Sequence, residues 1–168
     1  MEAIIYKVPL QASGVLAITS RPRGGDWLSD DIQNLAAEGV QILVSLLTAE
    51  EELELQLENE GALCISNGIE FRAFPIPDLG IPSDHAAFIG MIGQLGSAIR
   101  NGKFVAVHCR QSVGGSGLLA AAVGVMLGES LEDAVGSASA ARGVQIPETL
   151  EQRQWLRRNC VELSELAH

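Results

Sequence analysis

Positive charge is scarce in this chain. Eleven Lys and Arg stand against 21 Asp and Glu, a formal net charge of −10 over 168 residues. That balance does not suit nucleic acid or an anionic membrane, both of which reward basic surface. An anion-binding site here must be local and must work against the global field. Charged residues of both signs make up only 19%, so no long disordered segment is expected. Cysteine is scarce too. Cys64, Cys109 and Cys160 are an odd number without paired spacing, which argues against a disulfide framework and for a reducing, cytoplasmic setting. The N-terminal MEAIIYKVPLQ lacks the long apolar stretch and cleavage pattern of a signal peptide. The longest apolar run, GLLAAAVGVMLG at 117–128, is too short to span a bilayer and reads as a buried helix. There is no repeat, no linker and no cluster with metal-ligand spacing, so no metal or cofactor is expected.

What is present is apolar and regular. Apolar residues make up 47%, enough for one packed core, and 168 residues fit a single domain over 1–168. Short β-branched runs at 4–8, 15–19, 40–47, 69–76 and 103–109 read as five strands. Between them lie helical patterns at 26–39, 49–59, around Ala62 and Leu63, and at 85–102. Further helices are expected at 115–127, 130–143 and 147–166. Asp26, Thr48, and Asp84 or Ser83 are expected as caps, and Pro147 in a first helical turn. On the last helix Trp155, Leu156 and Leu163 form an expected buried stripe. His85 and His168 are expected on the solvent side. The alternation predicts an α/β fold with a central, mostly parallel sheet of about five strands flanked by helices. Sites in such sheets lie at the carboxyl ends of the strands. The loops at 76–83 and 109–115 both belong there.

Residues 107–118 read VHCRQSVGGSGL. A cysteine at a strand end, a tight Gly/Ser loop and a helix start place a thiol beside free N–H groups and a helix dipole. That setting favours thiolate, the nucleophilic form, and the same N–H groups can cradle a tetrahedral oxyanion. A cysteine alone would read as a small buried hydrophobe. His108 and the loop shift the reading to a nucleophile.

HCRQSVGGSG resembles the active-site loop of the cysteine-based tyrosine and dual-specificity phosphatases: His-Cys, five residues, Arg, then Ser or Thr. His108 and Cys109 match, as do Gly114 and Ser116. FPIPDLGIPS resembles the general-acid loop of the small kinase-associated type, with Asp78 in the acid's place. PETLEQ at 147–152 resembles that family's late glutamine motif, with Gln152 as the counterpart. The resemblance covers most of the chain and implies a shallow cleft. It implies Cys109 as nucleophile, Asp78 as acid and then base, Ser116 as the hydroxyl that helps the thiolate leave, and His108 as the residue that orients the loop. Arg110, Gln111, Ser112, Val113, Gly114 and Gly115 would cradle phosphate, or a sulfate ion in its place. It also implies a phosphorylated protein, peptide or small phosphomonoester as substrate. Cys64 is a candidate for a protective disulfide with Cys109 under oxidation, or else a buried thiol.

The departure is at 115, where glycine stands in the arginine's position. An arginine there would supply two charge-assisted hydrogen bonds to phosphate, and losing one well-placed donor costs about 10²–10³-fold in rate. The expectation is therefore a phosphatase with impaired turnover, or else a pseudophosphatase module that binds phosphorylated partners. A sulfur-transfer domain also uses a cysteine in a tight loop, but leaves Asp78 without a task. Arg110 is expected at the rim, and Arg21 and Arg23 are either a second rim cluster or a solvated loop.

Overall fold

The computed structural model describes residues 3–166. Its strands are β1 (Ile5–Val8), β2 (Val15–Thr19), β3 (Ile42–Ser45), β4 (Glu70–Ala73) and β5 (Phe104–His108), in sheet order β1–β2–β5–β3–β4. β1 runs antiparallel to β2, and every other pairing is parallel. The helices are α1 (Leu28–Ala37), α2 (Ala49–Glu54), α3 (Glu60–Ser66), α4 (His85–Arg100), α5 (Gly114–Met126), α6 (Leu131–Arg142) and α7 (Leu150–Glu165). The expected five-stranded, mostly parallel α/β sheet is what forms.

The two-residue period of the strands sorts side chains into two cores. Leu16, Ile18, Ile42, Val44, Val105 and Val107 face the layer of α4, α5, α6 and α7. Ala17, Leu43, Phe104 and Ala106 face α1 and α3. The central α5 has every residue buried, so the apolar run at 117–128 belongs to the core. Small residues let its neighbours close in: a Cβ on Gly117 would lie 2.8 Å from Ile146 Cβ, and one on Gly124 2.9 Å from Ala134 Cβ. Trp155, Leu156 and Leu163 are buried on α7, as their spacing predicts. Among the described residues no helix is long and apolar enough to cross a membrane.

Caps fix most helix starts. Thr48 and Glu51 form a reciprocal capping box on α2, and Asp84 accepts from Ala87 N–H at the start of α4. Two starts differ from expectation. Asp26 caps nothing; it lies inside a 3-10 turn, Gly25–Trp27, that Gly25 opens at φ +61 before α1 begins. Pro147 is not in a first turn either. Thr149 and Gln152 form a capping box and start α7 at Leu150. The expected helix at 49–59 also stops at Glu54, because Gln56 turns into the left-handed region at φ 57. His85 is exposed beside Glu162; His168 lies outside the described residues.

Candidate active site

Four parallel strands end on one side of the sheet, and the loops that follow them meet there. β5 ends at His108, and alternation then turns neighbouring residues to opposite faces. His108 points toward α3, where its Nε2 meets a carboxylate oxygen of Glu60, and both side chains are fully buried. Cys109 points the other way and joins the core cluster of α5, with 7% of its surface exposed.

The loop from Cys109 to Val113 is held from outside. Ser112 sits at φ 62 and donates from its hydroxyl to the Thr19 carbonyl at 2.8 Å. Arg142, at the end of α6, donates from Nε to the Ser112 carbonyl at 3.1 Å, with its guanidinium on the Tyr6 ring. Arg21 donates to the Arg110 carbonyl. Leu46 N–H, at the end of β3, donates to the His108 carbonyl at 3.0 Å. These tethers take up carbonyls and side chains on the loop's outer side. The helix that follows begins at Gly114, so its first N–H groups have no partner one turn back and the positive end of its dipole lies at the loop. Ser116 is buried in that first turn, with its hydroxyl unpartnered among the described residues. Gly115 is helical and buried; a Cβ there would lie 3.2 Å from Leu46 Cδ1 and 3.6 Å from Cys109 Cβ.

Asp78 is exposed on the loop after β4. Phe74 and Ile76 N–H groups bond to the carbonyls of Ser45 and Leu46, a turn from Pro77 to Gly80 follows, and Leu79 takes φ 65. Gln152 is fully buried and donates from Nε2 to the Gly80 carbonyl at 2.9 Å. Its amide also lies against Gly114, where an added Cβ would meet Nε2 at 3.1 Å. The Asp78 loop and the Cys109 loop thus share one buried anchor in the first turn of α7.

A family model described as "Tc-R-P: Polymorphic toxin system, DSP-PTPase phosphatase" matches residues 17–129. The chain belongs to this DSP-PTPase phosphatase family. The matched segment of the DSP-PTPase domain includes Asp78, Cys109 and Gly115, while Arg142 and Gln152 lie beyond it. A curated relative, cyclin-dependent kinase inhibitor 3 of Rattus norvegicus, is 27% identical over 131 residues, which is 77% of this chain and 61% of that protein. The chain therefore spans less than two thirds of that relative's length. A crystal structure of kinase associated phosphatase with its catalytic-site cysteine changed to serine superposes with TM-score 0.88 at 24% identity, covering 100% of this chain and 98% of the other. Tk-PTP in its active form gives TM-score 0.73 at 25% identity over 95% and 97% of the two chains. Family and fold are those of the cysteine-based tyrosine and dual-specificity phosphatases.

Several residues of the DSP-PTPase domain make contacts that the sequence alone does not show. Arg110 is drawn outward to α2, at 3.1 Å from Glu54 and 3.5 Å from Glu51. Glu54's hydrogen bond, then its charge, push the guanidinium pKa further up. Arg23 is no loose loop residue. It pairs with the buried Asp31 at 2.7 Å and stacks on Trp27. Gln111 is exposed next to Arg110 on the loop after β5, and Val113 is the last residue before α5. Cys64 is free, as is Cys109. It packs in the core on the opposite face of the sheet from Cys109, so of the two readings of Cys64 it is the buried thiol, not the partner of Cys109. Sequence reading missed Glu60 and Arg142. Glu60 sits in a run of acids that suggests a solvated face, yet its spacing from Leu57 and Cys64 matches an apolar stripe, which is the signal that identifies it. Arg142 had no local signal, since only the packing of α6 brings it to the loop.

Proposed function

We propose that this chain is a cysteine-dependent phosphomonoester hydrolase of the dual-specificity type, acting on phosphorylated protein, peptide or small phosphomonoester. The observation that carries the reading is the placement of Cys109 between the end of β5 and the start of α5, in a loop whose outer side is tied back. The Cys109 thiolate attacks phosphorus, forming S–P as the P–O bond to the leaving group breaks. Asp78 gives its proton to the leaving oxygen. Its carboxylate then takes a proton from water, which attacks phosphorus and breaks S–P, releasing phosphate and thiolate. The unpartnered Ser116 hydroxyl supports the departing sulfur. His108, anchored by Glu60, sets the direction of the strand that presents Cys109.

Gly115 leaves the equatorial oxygens without a bidentate cation, so turnover is low in this form. The same glycine favours a second reading, a phosphate-binding module that recognises phosphorylated partners without hydrolysing them. Acid-quenched reaction with p-nitrophenyl phosphate, followed by mass spectrometry, separates the two. The hydrolase forms a phosphoryl adduct on Cys109 that accumulates in Asp78→Asn. Phosphate-protected alkylation of Cys109 with no adduct supports the module. Hydrolysis that persists after Cys109→Ser contradicts the hydrolase reading.

A further inference from the structure

The sheet ends in two edge strands that are built differently. β1 carries an exposed Lys7 and runs into Pro9, two devices that keep an edge from pairing with another chain. β4, at the other end, reads Glu-Phe-Arg-Ala over Glu70–Ala73. The N–H groups of Glu70 and Phe74 donate to the carbonyls of Gln41 and Ser45 on the β3 side. Alternation then turns the N–H and C=O groups of Phe71 and Ala73 outward, along the open edge.

The ground on both sides of this edge is short of charge. On one face, Arg72 donates to Gln94 at 2.7 Å, which brings α4 alongside. Between His85 and Arg100 that helix has no charged side chain, and Gly90, Gln94 and Ser97 are exposed on one face of it. On the other face, a Cβ on Gly61 would lie 3.0 Å from the Phe71 ring, so α3 closes on β4. One turn further along α3, Ile65 is 72% exposed. In a protein of net charge −10, this is an uncharged strip crossed by one Glu and one Arg. A half-buried Phe71 beside an exposed Ile65 is apolar surface without cover.

We propose that the β4 edge pairs antiparallel with the β4 edge of a second copy of this chain, about a two-fold axis at Phe71. Charge selects that register. Phe71 faces Phe71 of the second copy and the two exchange N–H···O=C bonds. Glu70 then faces Arg72 of the second copy, and Arg72 faces its Glu70. Moving the axis to Glu70 or to Arg72 would set like charges against each other. Pro75, which has no N–H, ends the ladder just past Ala73. On the α3 side, the Phe71 and Ile65 side chains of the two copies cover one another. On the α4 side, small exposed residues let the two helices approach. The pairing uses up the β4 edge of each copy, and Lys7 and Pro9 guard the other, so the assembly closes at two. None of this depends on the reading of the Cys109 loop.

The test is sedimentation velocity on the full chain at loadings from about 1 μM to about 1 mM, a span that covers weak and moderate pairing. The mass is expected to rise with concentration from 17.8 kDa toward twice that value. Amide exchange at Phe71 and Ala73 should slow over the same range. Arg72→Glu sets carboxylates against each other at both symmetric positions, and Glu70→Arg does the same with guanidinium groups. Each is expected to weaken pairing about tenfold. Glu70→Arg/Arg72→Glu exchanges the charges within each chain and restores opposite signs across the axis. It should return to within about threefold of the parent, a recovery that loss of local packing cannot produce. A single chain at every loading overturns the proposal. A double variant as weak as either single variant overturns the register. Dimerisation that leaves Phe71 and Ala73 exchange unchanged overturns the assignment to β4, and a mass that grows past two chains overturns the closed pair.

Discussion

Gln152 donates from Nε2 to the Gly80 carbonyl at 2.9 Å while its amide packs against Gly114. One buried side chain thereby couples the turn beside Asp78 to the start of the helix after Cys109. The same residue closes the α7 capping box with Thr149. Gln152→Ala removes these contacts together and takes from the Gly80 carbonyl the amide that donates to it. The expected outcome is a loss of about 1–3 kcal/mol in stability, measured by urea unfolding, with faster amide exchange over 77–81. Unchanged exchange in that turn would show that the loop holds itself.

Glu60 and His108 are a buried pair on the far side of the sheet from Cys109. Glu60→Ala leaves the imidazole Nε2 buried without a partner and should cost roughly 1–3 kcal/mol. Glu60→Gln keeps a hydrogen-bonding group at the same place and should cost clearly less. Equal losses in the two variants would mean that shape, not the polar contact, is what position 60 supplies.

Cys64 makes stability depend on alkaline pH. Burial first, and then the charge of Glu60, push its thiol up to about 12 from an ordinary 9.0. The unfolded chain releases this proton near 9.0, whereas the folded chain keeps it until about 12. A raised native value gives stability that is complete below the unfolded value and is lost as pH climbs through the folded one. The urea midpoint should therefore fall between those limits, and Cys64→Ala should fall less steeply over the same window. Parallel slopes in the two proteins would remove Cys64 as the cause.

Gly115 lies within a helix and has no unusual φ, so a side chain meets only a steric question. A Cβ there approaches the end of the Leu46 side chain at 3.2 Å, a contact a small methyl shift relieves. Replacing a helical glycine gains about 0.5–1 kcal/mol. Gly115→Ala is expected to raise the thermal midpoint slightly. A lower midpoint would show that Leu46 cannot yield.

Much of this was legible in the chain because the signals are local. The apolar runs at 15–19 and 103–109, the capping residues Thr48 and Asp84, and the Gly/Ser loop after Cys109 each specify their own element. The misreadings came where a neighbour in space decides. Pro147 looked like a helix start, but the Thr149–Gln152 box sets that start three residues on. Arg23 looked solvated because its partner Asp31 is buried by α1 packing rather than by adjacency. Arg142 reaches the Cys109 loop only through the packing of α6, which no local pattern encodes, and for Glu60 the apolar spacing from Leu57 and Cys64 signals burial but not that its partner is His108.

The central claim is that Cys109 stands in a phosphatase loop short of one cation. The direct test is p-nitrophenyl phosphate hydrolysis by the chain, by Gly115→Arg, and by Gly115→Arg/Cys109→Ser. The account predicts that arginine raises kcat/KM by at least about 10²-fold and that the double variant loses the gain. A folded Gly115→Arg protein no faster than the parent, or one that keeps its gain without Cys109, would contradict it.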